Sequence, residues 1–278
     1  MAFRIGSSQS STTLFAQRQF SIHNARKNQA LERLASGRRL NSAADGPAEF
    51  AISLRLKAQI GSLSQARRNS YDGLSTAQIG EGSLNETSGI LVRIRELAIQ
   101  SANGTLSDQQ RQSIGAEAES LLEEVDRIAE VTQFGSKRLL VGLTSIGIAT
   151  GASADEILNL PSVDARRDAL GLSGVDLGTD PQTSASTLAS LDAAIDQVSS
   201  ARGAFGTASN ILESRIRQSF TEEEALRAAE SRIGDADIAE EAAELAKAQI
   251  MEQASLSVLA QSIEQDKIVL DLLEATAS

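Results

Sequence analysis

Residues 63–101 decide the fold, and they read LSQARRNSYDGLSTAQIGEGSLNETSGILVRIRELAIQS. In a seven-residue repeat, the two positions that face a partner helix, a and d, hold apolar or small residues throughout this stretch. The a positions are Leu63, Ser70, Ala77, Leu84, Leu91 and Ala98, and the d positions are Ala66, Gly73, Gly80, Thr87, Ile94 and Ser101. The repeat continues less strictly backward through Ile52, Leu56 and Ile60, and it predicts one long helix over 48–101.

A second long helix is predicted from Ser184 onward, and a shorter helix lies between the two. The second long helix has a positions at Leu188, Ile195, Arg202, Ser209 and Ile216, and d positions at Leu191, Val198, Phe205, Leu212, Ser219, Leu226 and Ile233. The shorter helix begins at a capping box of Ser107 and Gln110. Its apolar side is Ile114, Ala118, Leu121, Val125 and Ile128. Residues 132–180 hold seven glycines and a proline, which predicts short strands and turns.

Breakers and turn formers separate these rods from the two ends of the chain. The stretch 36–47 is a predicted linker that ends in Pro47, a residue suited to the first turn of a helix, and 234–237 is a predicted second hinge. Helices are predicted outside them, over 12–35 and about 238–273. The order of elements predicts a mainly α fold. It is a long antiparallel helical coiled-coil bundle with a small β-hairpin region, in which the N- and C-terminal helices pair.

The composition excludes several classes of protein. The 278 residues include no cysteine and one histidine, His23, which excludes disulfide scaffolds, thiol chemistry and multi-histidine metal sites. The formal net charge of −11 argues against nucleic acid as the main partner, and no run of about 18 apolar residues predicts a membrane span. The acidic run at 222–224 is interpreted as a solvated surface. We therefore expect no enzymatic activity, no cofactor and no metal.

The two ends of the chain carry opposite charge. Residues 1–70 contain eleven lysines and arginines against three acids, a net charge of +8, whereas 219–278 contain four against fourteen, a net charge of −10. One interpretation is that the two ends are solvated faces that happen to differ in charge. The other, which we expect, is that the terminal arms lie against each other or against neighbouring copies. Nucleic acid is a weaker interpretation of the basic arm, because the arm lacks interleaved stacking aromatics and a groove-reading motif.

The terminal helices are expected to become ordered by packing on other subunits, because short isolated helices are marginal in water. Such arms indicate polymerisation. The residues expected to be buried on assembly are Leu14, Phe15, Phe20, Leu31, Leu256, Leu259, Ile263, Leu270 and Leu273. Candidate ion pairs at the two hinges involve Arg38, Arg39, Asp235 and Asp237.

Several stretches of the sequence resemble bacterial flagellin, and together they cover most of the chain. Two belong to the family's N-terminal pattern, one to its C-terminal hinge and two to its last helix. The matching strings are ERLASGRRLNSAAD through QARRNSYDGL at 32–74, IRELAIQSANG at 94–104, ESRIGDAD at 230–237, AQI at 248–250 and SVLAQ at 257–261.

The resemblance implies an architecture and a function. Residues 1–46 with 235–278 would form the inner terminal coiled-coil domain of the filament core. Residues 47–234 would form the rod-like outer core domain, with its β region at about 132–180. The chain would be a minimal flagellin, a structural subunit that self-polymerises into the bacterial flagellar filament for swimming motility. The alternative is a hook–filament junction protein, a hook-associated protein of the same family, and the string RLNSAAD at 39–45 favours flagellin.

The resemblance also implies partners and a location. The partners are further copies of the chain or other flagellins, an export chaperone, the filament cap and hook-junction proteins. Export would use the flagellar type III apparatus without a cleavable signal peptide, and the filament lies outside the cell. A vertebrate Toll-like receptor is a further implied partner, contacted through Arg93, Leu97 and Glu117. Neither nucleic acid nor membrane insertion is expected.

Overall fold

The computed structural model describes residues 6–142, 145–153 and 155–277, with side-chain surroundings for 13–268 apart from the same gaps and residue 266. The helices of this described part are α1 (Gly6–Ser36), α2 (Pro47–Ser101), α3 (Asp108–Val131), α4 (Pro181–Gly234) and α5 (Ile238–Ala277). Two antiparallel strand pairs join β1 (Gln133–Phe134) to β2 (Lys137–Arg138) and β3 (Ile146–Ala149) to β4 (Ile157–Leu160). The predicted mainly α fold with a small β region is confirmed.

Glycine and proline set the boundary between α1 and α2, as predicted. α1 ends immediately before Gly37, whose φ of +67° lies in the left-handed region that favours glycine. Asp45 closes the following loop, because its Oδ2 accepts a hydrogen bond of 2.9 Å from the backbone N–H of Ser42. α2 then begins at Pro47, where the missing N–H would have had no partner within the helix.

The interior of residues 59–225 follows the predicted repeat. All twelve a and d positions of α2 between Leu63 and Ser101 are buried. α4 packs against them with side chains that are at most 1% exposed, namely Leu191, Val198, Phe205 and Leu212. Fully burying one large apolar side chain contributes about 1.5–3 kcal/mol. The helical bundle of residues 59–225 therefore has a hydrophobic core of its own.

The predicted repeat is wrong at three places. In α4 four predicted a positions are only partly buried, namely Leu188, Ile195, Arg202 and Ser209, whereas Ala194 and Ala208 are buried. Ile52, in the backward continuation, is 50% exposed, whereas the adjacent Ser53 is buried. In α3 the buried residues include Leu122 and Ala129, and the predicted Leu121 and Ile128 are only partly buried. An α-helix turns once in about 3.6 residues, so its buried row drifts relative to a strict seven-residue repeat.

Close packing explains two glycines in the middle of α2. A Cβ on Gly73 would come within 3.1 Å of Ile148, because the β3–β4 hairpin lies against the helix there. A Cβ on Gly80 would come within 2.9 Å of the Phe205 ring of α4. The missing Cβ thus leaves room for a large apolar side chain at each position. Glycine would otherwise weaken a helix interior by about 1 kcal/mol relative to alanine.

Contacts divide the chain into two compact units. The first comprises Met1–Ala58 with Leu226–Ser278 and contains α1 and α5, and the second is Gln59–Ala225. No helix within the described residues is long and apolar enough to cross a bilayer. The same residues place no group of three or more His, Cys, Asp or Glu side chains where they could hold a metal ion. The domain assignment made from the resemblance stays a prediction.

Candidate assembly surface on the terminal helices

α1 and α5 pack along each other in opposite directions, through small and polar residues. On α1 the buried residues Ala16, His23 and Ala30 recur every seven positions. On α5 Ala248 is buried, and partly buried residues continue its row at Glu241, Leu245, Glu252, Ser255, Leu259 and Ser262. The predicted pairing of the terminal helices is confirmed. The seam contains few large apolar side chains, so the pairing buries little apolar area and is weakly stabilised on its own.

Among the described side chains, two ion pairs cross this seam. The Lys27 Nζ lies 2.8 Å from a carboxylate oxygen of Glu252, and the Arg33 Nη1 lies 2.9 Å from one of Glu241. Both carboxylates are at most 15% exposed, so salt screens these pairs less than a fully exposed pair. The bases lie on α1 and the acids on α5. The opposite charges of the two chain ends therefore meet within the chain, as one of the two sequence interpretations predicted.

Arg38 and Arg39 form ion pairs at the junction of the helices, but with partners other than the two predicted aspartates. The Arg38 Nη2 lies 3.0 Å from Glu230, and the Arg39 Nη2 lies 2.9 Å from Glu49. The Lys57 Nζ approaches the same Glu230 carboxylate at 3.3 Å. Glu230 thus lies between two cations, which the sequence analysis missed. The missed signal was an acidic residue one turn before the predicted hinge.

The prediction that Asp235 and Asp237 pair with these arginines is therefore wrong. The Asp235 Oδ2 accepts a hydrogen bond of 2.6 Å from the hydroxyl of Ser231. The Asp237 Oδ1 accepts one of 2.8 Å from the backbone N–H of Ala239 and caps the start of α5. An aspartate directly before a helix is typically drawn to the unpaired N–H groups of the first turn. Both aspartates thus form hydrogen bonds with residues close in sequence.

The large apolar side chains of the arms lie mostly outside the seam. Five predicted assembly residues are between 44% and 62% exposed, namely Leu14, Phe15, Leu31, Leu256 and Ile263. Two more, Phe20 and Leu259, are partly buried. The side chains of Leu270 and Leu273 lie outside the described residues. The structure thus leaves most of the predicted assembly surface uncovered within one chain.

Further exposed apolar residues, not predicted from the sequence, lie on the same two helices. They are Ile22, Ile238, Ile250, Met251, Val258 and Ile268. At 100° per residue, Met251 and Val258 flank one side of the α5 seam, and Leu256 and Ile263 flank the other. α5 is therefore apolar on several sides. Such a helix is typical of a fully buried position, yet one side alone faces α1.

An open groove of about 380 Å³ runs between α1 and α5. Its walls include Phe15 and His23 from α1 and Met251 and Val258 from α5. The groove is open along the pair and bounded by apolar side chains. It can receive apolar side chains from another helix.

The interpretation of residues 222–224 as a solvated acidic run is wrong for Glu223. This residue is 6% exposed and forms an ion pair with Arg67 of α2. The Arg67 guanidinium also lies over the Phe220 ring, 4.2 Å from its centroid. Glu223 continues the inward row of α4 one turn beyond Ser219, and the arginine compensates its charge.

The three predicted receptor-contact residues differ in accessibility. The Arg93 Nη2 lies 2.9 Å from the Glu117 carboxylate, and both side chains are about half exposed. Leu97 is 1% exposed and belongs to the hydrophobic core of the bundle. α2 turns Leu97 toward its own core, and the receptor contact through these three residues stays a prediction. Arg93 and Glu117 remain on the surface.

The chain thus combines a core formed within residues 59–225 with terminal helices that leave large apolar side chains uncovered. Comparisons with known proteins identify its family. Residues 8–145 match the bacterial flagellin N-terminal helical region, and residues 188–273 match the bacterial flagellin C-terminal helical region. The chain belongs to the bacterial flagellin family.

Curated relatives match almost the whole chain. A flagellin of Halalkalibacterium halodurans is 39% identical over 261 residues, covering 93% of this chain and 96% of that protein. A flagellin of Bacillus subtilis is 36% identical, covering 91% and 94%. The flagellar filament 30.7 kDa core protein of Treponema maltophilum is 35% identical, covering 94% and 97%.

Solved structures agree with the fold. The crystal structure of Bacillus cereus flagellin is 28% identical and superposes with a TM-score of 0.51 over 55% of this chain and 88% of that chain. A putative flagellar hook-associated protein of Vibrio parahaemolyticus superposes with a TM-score of 0.59 over 69% of this chain and 100% of that chain. The second likeness, at 16% identity, concerns the fold alone.

Proposed function

We propose that this chain is the structural subunit that polymerises into the extracellular flagellar filament, the helical propeller of swimming bacteria. The uncovered apolar surface of α1 and α5 carries the proposal. Membership of the flagellin family supports it, as does the similarity to a filament core protein of Treponema maltophilum. The function is mechanical, and no catalytic step is involved.

Polymerisation is driven by burial of the terminal helices between neighbouring subunits. Association costs each chain about 4–15 kcal/mol of lost translational and rotational freedom. Burying one large apolar side chain contributes about 1.5–3 kcal/mol, so several must be covered in each contact. Within the described residues, the two helices supply eleven exposed apolar residues between Leu14 and Ile268 for this purpose. The α1–α5 ion pairs hold the two helices in a fixed register while the contact forms.

The two domains predicted from the sequence have different roles in the filament. Residues 1–46 with 235–278 form the inner coiled-coil domain that packs around the filament axis, and 47–234 form the outer rod. The loops at 37–46 and 235–237, where the helices are interrupted, support this boundary.

The proposed accessory partners act on the same surfaces. An export chaperone covers the apolar sides of α5 before assembly, and the filament cap guides incoming subunits. Other flagellins and the hook-junction proteins join through equivalent terminal helices. A Toll-like receptor contact, if formed, uses the exposed Arg93 and Glu117. The apolar sides of α5, which would otherwise aggregate, support the chaperone most directly.

The runner-up is a hook–filament junction protein, since the fold is shared with a hook-associated protein of Vibrio parahaemolyticus. Whole-length similarity to flagellins and a filament core protein favours the filament subunit. The two functions differ in copy number. A filament subunit forms long tubes, whereas a junction protein stops after a short zone.

Seeded polymerisation tests the proposed function. The full-length chain is depolymerised by heat, cooled, mixed with short filament seeds and viewed by negative-stain electron microscopy. We expect long tubes with a central channel. A chain that remains monomeric in the presence of seeds would contradict the proposal. Growth that stops after a short zone at the seed ends would indicate the junction protein.

Two matched variants test whether the terminal helices drive polymerisation. Ile263→Ser removes an exposed apolar residue of α5, and Ile157→Ser removes one from β4 with similar exposure. Losing one buried side chain from each contact should raise the critical concentration for Ile263→Ser by about tenfold to a hundredfold. Ile157→Ser should polymerise like the wild type. Equal critical concentrations for the two variants would exclude the α5 surface as the driving contact.

A further inference from the structure

The turn between α2 and α3 holds an asparagine–glycine pair in an exposed position. Of the eight asparagines in the chain, only Asn103 is followed by glycine. Asn103, Gly104 and Thr105 are all exposed, and the turn joins the end of α2 to the capped start of α3. None of these residues takes part in the proposed assembly surface.

Two donors converge on the side-chain carbonyl of Asn103. Its Oδ1 accepts hydrogen bonds from the backbone N–H of Thr105 at 3.1 Å and from the Thr105 hydroxyl at 3.0 Å. Donors at this oxygen withdraw electrons from Cγ and stabilise negative charge that develops on Oδ1 when Cγ is attacked. The pair therefore acts on this amide as an oxyanion hole acts on a substrate carbonyl.

The neighbouring backbone nitrogen is free to attack. Within the described residues, the Gly104 N–H donates no hydrogen bond. A Cβ built on Gly104 would meet nothing within 4 Å, and glycine has no side chain that could hinder attack by its own nitrogen. Glycine also allows the backbone rotation that ring closure requires.

We propose that Asn103 is a self-modification site, where spontaneous deamidation assisted by Thr105 converts the amide to a carboxylate. The Gly104 nitrogen loses its proton to hydroxide and forms a bond to the Asn103 Cγ, which places negative charge on Oδ1. The Cγ–Nδ2 bond then breaks, and Nδ2 leaves as ammonia with a proton from water. Water adds to either carbonyl of the resulting succinimide and opens it to an aspartyl or isoaspartyl residue. One water is consumed and one ammonia released, with no oxidant or enzyme.

The product alters a turn that a buried arginine holds together. Arg111 is 3% exposed and donates to the carbonyl oxygens of Ser101, at the end of α2, and Leu106, in the turn. An isoaspartyl residue at 103 lengthens the backbone between these two carbonyls. The modification thus adds one negative charge and loosens the α2–α3 turn with time. A chain that is exported and not renewed accumulates the change.

Peptide mapping tests this inference on the purified full-length chain. The protein is incubated in mildly alkaline buffer, digested at intervals and analysed by mass spectrometry, with isoaspartate and released ammonia measured in parallel. We expect Asn103 to convert ahead of all seven other asparagines, with Asn41 and Asn85 as internal references. An unmodified Asn103 when either reference has converted would overturn the proposal.

Two substitutions separate the chemistry from the sequence context. Thr105→Val keeps the side-chain shape and the backbone N–H but removes the hydroxyl donor. It should slow conversion by about tenfold, less than the ~100-fold typical of an enclosed oxyanion hole. Gly104→Ala should slow conversion further while the fold is kept, because Gly104 has no positive φ and no neighbour at its Cβ position. Circular dichroism checks folding, and conversion of Thr105→Val at the wild-type rate would overturn the role of Thr105.

Discussion

The bundle and the terminal helices share a seven-residue spacing, but they place different kinds of residue in the inward row. In α2 the inward row holds leucines and isoleucines such as Leu84, Leu91 and Ile94, all with no measurable exposure. In α1 the inward row is Ala16, His23 and Ala30, and the large apolar residues lie outside it. The bundle is stabilised by contacts within the chain, whereas the arms keep their best apolar surface for contacts between chains.

The largest expected effect comes from removing a leucine of the bundle. Leu91→Ala should reduce the free energy of unfolding by about 2–5 kcal/mol, because it loses buried area and leaves a cavity. The matched arm variant, Leu256→Ala, should change the unfolding of the monomer by less than about 0.5 kcal/mol. Urea denaturation followed by circular dichroism measures both. A comparable loss in the two variants would break the distinction between bundle and arms.

Two glycines of α2 test how tightly the bundle is packed. Gly80→Ala should destabilise by up to about 2 kcal/mol, since the strain against Phe205, about 1–3 kcal/mol, exceeds the gain in helix propensity of about 1 kcal/mol. Gly82→Ala, where nothing lies within 4 Å, should stabilise by up to about 1 kcal/mol. Thermal unfolding of the two monomeric variants shows whether each substitution stabilises or destabilises the chain. Stabilisation by Gly80→Ala would show that Phe205 moves aside without cost.

Charge reversal tests what holds the arms in register. Lys27→Glu and Glu252→Lys should each weaken the α1–α5 pairing, and the double variant should restore about 0.5–1 kcal/mol, the coupling typical of partly exposed pairs. The helical signal of the arms during thermal unfolding provides the measurement. Additive losses in the double variant would mean that the pair contributes no coupling.

The smallest expected effect is a pH dependence of the loop between α1 and α2. The hydrogen bond from the Ser42 backbone N–H lowers the pKa of Asp45 below its usual value. A carboxyl group whose pKa is lower in the folded state stabilises the fold above its unfolded pKa, so the contribution is present above about pH 5 and is lost as the pH falls.

Comparing the wild type with Asp45→Asn isolates this effect. The stability difference between the two proteins should be present near pH 6 and should shrink toward pH 3, both approximate limits set by the unfolded pKa of about 3.9. Urea denaturation at the two pH values measures it. A difference that stays constant would assign the effect of the substitution to the loop conformation instead of the charge.

The inward row of α2 from Leu63 to Ser101 could be predicted from the sequence completely, because its neighbours are in the same chain and the row is apolar or small. All twelve inward positions of α2 followed from spacing alone. The seam of the arms could not be predicted in this way. A repeat search selects the large apolar row, and on α5 this row includes the exposed Leu256 and Ile263, whereas the seam runs through Ala248 and Glu252.

The sequence predicted that the oppositely charged arms meet, but it did not predict which residues form ion pairs. The basic start and acidic end of the chain predicted that the arms meet, and the pairs of Lys27 and Arg33 confirm it. The choice of Glu230 over the two hinge aspartates depends on which side of α4 faces the loop, and spacing in the sequence does not supply that orientation. Helix capping competed for Asp237 as well.

Hydrogen exchange of the full-length chain, compared between monomer and seeded polymer, tests the central claim most directly. Amides of α2 from Leu63 to Ser101 should be protected in both states. Amides of α1 and α5 should exchange rapidly in the monomer and become protected only in the polymer. Arms that are as well protected as α2 in the monomer, or that stay unprotected in the polymer, would contradict the account.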